Sequence, residues 1–148
     1  MERRAVLRTV SIVGTAGLAG CVGGLGGGDA AATGYDDWFD GVGNYNGTTV
    51  GRTGVETVTV TVGASGNNGN FAFAPAAVEV ASGTTVRWRW TGEGGRHNVI
   101  AESDGFASEF ASREGYTFEH RFEETGVHKY YCKPHLSLGM KGAVRVVE

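Results

Sequence analysis

Three side chains that bind soft metal ions lie close together near the C-terminal end of the chain. Residues 132–140 read Cys-Lys-Pro-His-Leu-Ser-Leu-Gly-Met, which places a thiol at Cys132, an imidazole at His135 and a thioether at Met140. A second imidazole, that of His97, follows a Gly-rich turn earlier in the sequence. One cysteine, two histidines and a methionine are the ligands of blue-copper sites that transfer electrons. The pattern therefore predicts one copper ion bound by these four side chains.

Each residue of this set has its own predicted role. Cys132 loses its proton and forms a short copper–sulfur bond, whereas His97 and His135 bind through neutral imidazole nitrogens. Met140 is the long axial ligand, and Pro134 stiffens the loop and removes one backbone donor. A structural zinc site is the main alternative for the metal, but such a site usually has more cysteines or histidines and no methionine.

Alternating apolar residues predict the strands that must hold this site. From Val55 onward, short alternating segments are separated by turns rich in Gly, Asn, Ser and Pro. This pattern is typical of an all-β sandwich of about seven or eight short strands. The loop 132–140 would connect two strands, and His97 would approach it from a different part of the fold. The alternating positions include Val58, Val60, Val62, Phe71, Phe73, Val78, Val80, Val86, Trp88, Trp90, Val144 and Val146.

The N-terminal segment has the features of an export signal. Arg3 and Arg4 precede an uncharged stretch over residues 11–20 that is too short to span a bilayer, and the paired arginines resemble a twin-arginine signal. The sequence Leu-Ala-Gly-Cys, ending at Cys21, resembles the lipobox of exported lipoproteins. This resemblance implies cleavage before Cys21 and a lipid on its thiol. An ordinary cleaved secretion signal, with Cys21 incidental, is the alternative.

A Gly- and Ala-rich segment separates this signal from the rest of the chain, and it predicts a flexible tether. Tyr35, Trp38, Phe39 and Val42 then follow the spacing of a short amphipathic helix, which is expected to pack on the domain as a flap. The sequence therefore predicts an export signal over 1–20, a tether over 21–34 and one folded domain over 35–148. A lipid on Cys21 would hold that domain at the extracytoplasmic face of the cell membrane.

From about Tyr35 to Glu148, the sequence resembles the halocyanins, which are plastocyanin-like small blue copper proteins of haloarchaea. The matching stretches are residues 58–63, 73–75, 83–86, 90–95, 97–99, 118–120, 130–132, 134–135 and 139–142. The resemblance implies a Greek-key cupredoxin sandwich, one type 1 copper, and membrane-associated electron transfer outside the cytoplasm. It also implies that Asn98 ties the two ligand-bearing segments together by hydrogen bonds.

Composition and motifs favour an electron carrier over other classes of protein. The net charge of −3 comes without any basic block, so a nucleic-acid partner is not expected. An enzyme acting on a small-molecule substrate is not expected either, because copper oxidases and nitrite reductases commonly use His-x-His pairs and this sequence has none. A subunit of a copper oxidase and a copper chaperone or storage protein are the alternative functions.

Electron donors and acceptors are expected to be redox proteins that dock near His135, where Leu136 and Leu138 offer apolar contacts. The two other histidines are not expected to bind the copper. His120 shares one face of a predicted strand with Phe118 and Phe122. His128 precedes Cys132 by four residues, a distance of about 13 Å along a strand, which is too far to bind the same metal.

Overall fold

The computed structural model describes residues 34–148. The predicted export signal, Cys21 and nearly all of the predicted tether lie outside these described residues. No helix within residues 34–148 is long and apolar enough to cross a membrane. Residues 37–148 form one compact unit that contains all of the described strands.

Nine strands and one 3₁₀ helix make up the regular structure of residues 34–148. The predicted all-β sandwich is confirmed, with slightly more strands than the sequence pattern indicated. The strands are β1 (Val50–Gly51), β2 (Thr57–Ala64), β3 (Ala72–Ala74), β4 (Ala77–Ala81), β5 (Thr84–Trp90), β6 (Ile100–Ala101), β7 (Thr117–Phe122), β8 (Gly126–Tyr131) and β9 (Lys141–Val147), and the 3₁₀ helix is Lys133–Leu138.

The strands form two mixed sheets. One sheet has the order β1-β4-β9-β8-β6 and the other has the order β3-β2-β5-β7, so the chain crosses repeatedly between the two layers, as in a Greek key. Strands β2 and β5 are parallel, as are β4 and β9, whereas β8 and β9 form an antiparallel hairpin. Strand β6 pairs with the end of β8 through Ile100 and Tyr131. This register brings the residues just before β6 beside the residue just after β8.

The core lies between the sheets because one face of each strand is apolar. In β2, Val58, Val60 and Val62 are buried while Thr57 and Thr59 are exposed, as a period of two requires. The indole of Trp88 is fully buried at the centre of an aromatic cluster. Its ring lies against the rings of Phe106, Phe118, Phe122 and Tyr130.

The prediction of a short helix near the start of the domain is wrong. Residues 36–41 form turns, with the Asp40 amide bonded to the Asp37 carbonyl and the Val42 amide bonded to the Phe39 carbonyl. Gly41 takes a left-handed backbone conformation with φ of 80°, which ends any helical run after a few residues. So short a segment does not repay the cost of starting an α-helix. The turns nevertheless pack on the sandwich, because Trp38 Nε1 donates to the Gly142 carbonyl at 2.9 Å.

Candidate metal centre

Two imidazoles and one thiol meet at one end of the sandwich. The potential ligand atoms of His97, Cys132 and His135 all lie within 4.8 Å of one another. The Cys132 sulfur is 3.7 Å from His97 Nδ1 and 3.5 Å from His135 Nδ1, and the two Nδ1 atoms are 3.2 Å apart. Both rings therefore present the same nitrogen to the thiol, and these three atoms face one common point.

His97 is fully buried and is held from two sides. Its backbone pairs with Ala111, with the amide of each residue bonded to the carbonyl of the other at 2.9 and 3.0 Å. Its Nε2 lies 2.7 Å from the Glu93 carbonyl. Since a carbonyl only accepts, the ring proton is on Nε2, which leaves the lone pair of Nδ1 directed toward Cys132.

The turn that carries Glu93 is closely packed against the His97 ring. Thr91 Oγ1 donates to the Gly63 carbonyl at 3.0 Å and accepts from the Glu93 amide at 3.0 Å. Gly94 has φ of 82°, and a Cβ at this position would lie 2.8 Å from His97 Nε2. Only glycine fits here, because both the backbone conformation and the space exclude a side chain.

The loop between β8 and β9 supplies the other donors. Cys132 follows the end of β8 and is fully buried, and its amide donates to the Met140 carbonyl at 3.1 Å across the neck of the loop. Pro134 lies at the start of the 3₁₀ helix, where no backbone donor is needed. Gly139 ends that helix in a left-handed conformation with φ of 101°. Met140 follows and is fully buried.

Asn98 connects the two parts of the site. It is buried next to His97, and its side-chain oxygen accepts a hydrogen bond from the Lys133 amide at 2.9 Å. The backbone N–H groups of Asn98 and His135 also favour the thiolate of Cys132. The segment bearing His97 and the loop bearing Cys132 are thus joined by direct bonds rather than by packing alone.

Burial shifts the pKa of each titratable group at the site. Desolvation is the main cause of a lowered pKa at His97, where the charge of His135 acts in the same direction and the Glu93 hydrogen bond opposes it. Desolvation also lowers the pKa of His135. Burial raises the pKa of the Cys132 thiol, against the backbone N–H groups that favour its ionised form. The lowered pKa values favour neutral imidazoles, the form that binds a cation, and metal binding would displace the thiol proton.

The donor set suits copper. Thiolate and thioether sulfurs prefer soft metals, and two imidazoles with one thiolate match a trigonal copper site better than a structural zinc site, which wants four strong ligands. Within residues 34–148, these three residues are the only group of histidines, cysteines or acids close enough to share an ion. His120 and His128 lie elsewhere: His120 packs on Phe106 with ring centroids 4.7 Å apart, and His128 Nε2 bonds the Glu124 carbonyl.

Residues 58–147 match the model of the copper-binding proteins of the plastocyanin/azurin family. The chain belongs to this family. It is 49% identical to the halocyanin of Natronomonas pharaonis over 72 residues, which cover 47% of the chain and 44% of that protein. It is 33% identical to the plastocyanin of Scenedesmus fuscus over 79 residues, which cover 47% of the chain and 80% of that protein. The chain thus matches less than half the length of the halocyanin.

A solved structure shows the same architecture. The purple cupredoxin of Nitrosopumilus maritimus is 31% identical, with a TM-score of 0.50 over 61% of this chain and 99% of that one. The cupredoxin fold predicted from the resemblance is therefore confirmed, and so is copper as the cofactor, in a type 1 site.

Several residues that build the site were not found by sequence reasoning. Glu93 acts through its backbone carbonyl, which leaves no signal in the side chain. Phe71 packs on His135 with ring centroids 4.6 Å apart, although the sequence marked it only as a strand residue. Asn67 belongs to one of the Gly- and Asn-rich turns between strands, and its side chain donates to the Gly139 carbonyl of the loop. Contacts of this kind join residues that are far apart in the sequence, so they are identified only in the three-dimensional structure.

Proposed function

We propose that this protein is a one-electron carrier whose type 1 copper is bound by His97, Cys132, His135 and Met140. The observation that supports the proposal best is the arrangement of the three donor atoms. Both imidazoles present Nδ1 to the buried thiol within 3.7 Å, so the three donors can bind one ion.

The rigidity of the donors is what electron transfer requires. Copper held by these residues would supply one-electron chemistry, and a set of two imidazoles, one thiolate and one thioether would suit its cuprous and cupric states moderately well. The Glu93 carbonyl and the backbone hydrogen bonds with Ala111 hold His97 in place. The hydrogen bond from the Cys132 amide to the Met140 carbonyl holds Cys132 next to Met140. Since these contacts do not depend on the charge of the metal, the ligands keep their positions when the electron arrives or leaves.

His135 is the proposed route for the electron. Its ring is only half-buried, whereas His97 and Cys132 have no exposed surface. Leu136 and Leu138 flank it with 38% and 46% of their surfaces exposed, which gives an apolar contact area for a redox partner. We propose that donor and acceptor proteins dock here in turn, and that the protein transforms no small molecule.

We further propose that the protein is exported and held at the outer face of the cell membrane by a lipid on Cys21. The sequence ending in Leu-Ala-Gly-Cys supports this proposal, together with the resemblance to halocyanins. Mass measurement of the N-terminus of protein purified from membranes tests it. A mature chain that begins at Cys21 with diacylglycerol attached is expected, and an unmodified Cys21 would contradict the anchor.

Absorption spectroscopy of the copper-loaded protein tests the central proposal. The oxidised protein should absorb intensely at about 600 nm, because charge moves from the thiolate to copper(II). Cys132→Ser should remove this band while Ser137→Ala, on the same loop, should retain it. Retention of the band without the thiol would refute the ligand assignment.

Two further measurements separate the alternative functions. Slow release of copper to a chelator is expected for a carrier, whereas rapid release would favour a chaperone or storage protein. Oxygen consumption with a reducing dye should stay at the level of the Cys132→Ser variant, whereas copper-dependent consumption would favour an oxidase subunit.

A further inference from the structure

Residues 37–46 form a segment, here named the strap, that lies before the region shared with the copper-binding family, which begins at residue 58. The strap consists of turns and irregular backbone and packs on the sandwich through buried Phe39 and Val42. It contacts the chain on both sides of Met140, at Gly139 in the loop 132–140, here named the copper loop, and at Lys141 and Gly142 at the start of β9. The family match does not account for this segment, so its role must come from these contacts.

The first contact is made through Asn67. Its Oδ1 accepts from the Gly43 amide of the strap at 2.7 Å. Its Nδ2 donates to the Phe71 carbonyl at 2.7 Å and to the Gly139 carbonyl at 3.2 Å. One side chain therefore joins the strap to the residue immediately before Met140.

The strap also covers Gly139 directly. A Cβ on Gly139 would collide with the Gly41 carbonyl and would lie 3.0 Å from Asn67 Oδ1. Gly139 is buried although the preceding residues Leu136 and Leu138 are exposed. The end of the copper loop is thus enclosed between Asn67 and the strap.

The second contact lies after Met140. Trp38 Nε1 donates to the Gly142 carbonyl at 2.9 Å, and Lys141 Nζ donates to the Trp38 carbonyl at 3.2 Å. The Lys141 ammonium also lies over the Trp38 ring, 4.9 Å from its centroid. These bonds fix the two residues that follow Met140.

We propose that the strap and Asn67 position the Met140 thioether relative to the copper, so that they help set its reduction potential. The proposal rests on the proposed function, since it requires Met140 to be the axial ligand. The Met140 backbone is held on one side by Gly139 and on the other by Lys141 and Gly142. A weak, long axial bond responds to small displacements of the backbone that carries it, and a weaker axial bond favours copper(I). Asn67 and Trp38 are positioning residues that do not touch the metal.

The neighbouring Asn68 provides a matched control for Asn67. Both asparagines have left-handed backbones, with φ of 58° and 70°, so glycine fits at either position without strain. Asn68 is exposed and lies outside the contacts between strap and loop. Asn67→Gly should raise the reduction potential measured by voltammetry, whereas Asn68→Gly should leave it unchanged.

A double-variant cycle with Met140→Leu tests the route of the effect. In the Met140→Leu background, Asn67→Gly should cause no further shift, because the group through which it acts is gone. A shift that persists there would overturn the proposal and would indicate an effect through Phe71 and His135 instead. Equal potentials for wild type, Asn67→Gly and Asn68→Gly would overturn it as well.

Trp38→Phe provides a second variant if Asn67→Gly fails to fold. It keeps an aromatic ring for Lys141 but removes the donor to Gly142, and it should also raise the potential. Amide exchange in metal-free protein gives a readout independent of copper: Asn67→Gly should speed exchange at Gly43, and unchanged protection would contradict the coupling. Absence of a blue band in wild type would instead refute the proposed function, so the two failures are distinguishable.

Discussion

Gly94→Ala should destabilise the protein through a collision with the His97 ring. The added Cβ would lie 2.8 Å from His97 Nε2 and 3.0 Å from Cε1, and it would collide with the Asn70 carbonyl. Distances of this size require the ring or the turn to move. Since Glu93 is part of the same turn, the hydrogen bond that orients His97 should weaken.

The size of the effect follows from two contributions. An L-residue in a left-handed conformation costs about 1–2 kcal/mol, and overpacking of a closely packed site costs about 1–3 kcal/mol. Gly95→Ala isolates the first contribution, because Gly95 has φ of 81° but nothing within 4 Å of its added Cβ. The gain from reduced unfolded-state entropy is common to both variants and cancels.

Denaturant unfolding of the metal-free proteins is the appropriate assay, since copper would add its own binding free energy. We expect Gly94→Ala to be less stable than Gly95→Ala by about 1–3 kcal/mol. Copper release to a chelator should also be faster in Gly94→Ala than in Gly95→Ala. Equal stabilities and equal release rates for the two variants would refute the steric argument for Gly94.

Two further predictions concern charge. Lys133→Glu should lower the reduction potential at low salt, because it replaces a positive charge with a negative one on the residue that follows Cys132. Arg121→Glu, the same charge change at the far end of β7, is the control, and equal shifts for both variants would contradict the local effect. Burial, reinforced by the charge of His128, lowers the pKa of His120. The folded state therefore binds this proton less readily than the unfolded state, so stability is lost as pH falls below about 6.5. His120→Gln should reduce the loss measured by denaturant unfolding between about pH 7.5 and about pH 5, and an unchanged loss would show that His120 does not contribute.

The sandwich was predictable because its strands alternate clearly. Val58, Val60 and Val62 are separated by threonines, and apolar residues that alternate with a period of two are typical of a half-buried β-strand. The loop from Cys132 to Met140 was predictable for a different reason, since its residue types have few uses other than binding a soft metal. Both features are local in sequence.

Other parts of the structure depend on contacts between distant segments and were not predictable. The spacing of Trp38, Phe39 and Val42 fits a helix as well as it fits a series of turns that buries the same residues. Tertiary contacts, such as the hydrogen bond from Trp38 to the Gly142 carbonyl, stabilise the turns. The role of Gly94 depends on the position of the His97 ring above it. Neither relation leaves a pattern in the neighbouring sequence.

The neck of the copper loop marks the boundary between the paired strands of the sandwich and the residues that bind the metal. Pairing of Tyr131 with Lys141 completes the β8–β9 hairpin, and the bond from the Cys132 amide to the Met140 carbonyl closes the loop beyond it. The paired strands therefore end at this neck, and doubling the length of a closed loop costs only about 0.6 kcal/mol of chain entropy. Variation within this short insert can change the surroundings of the metal while the scaffold stays the same.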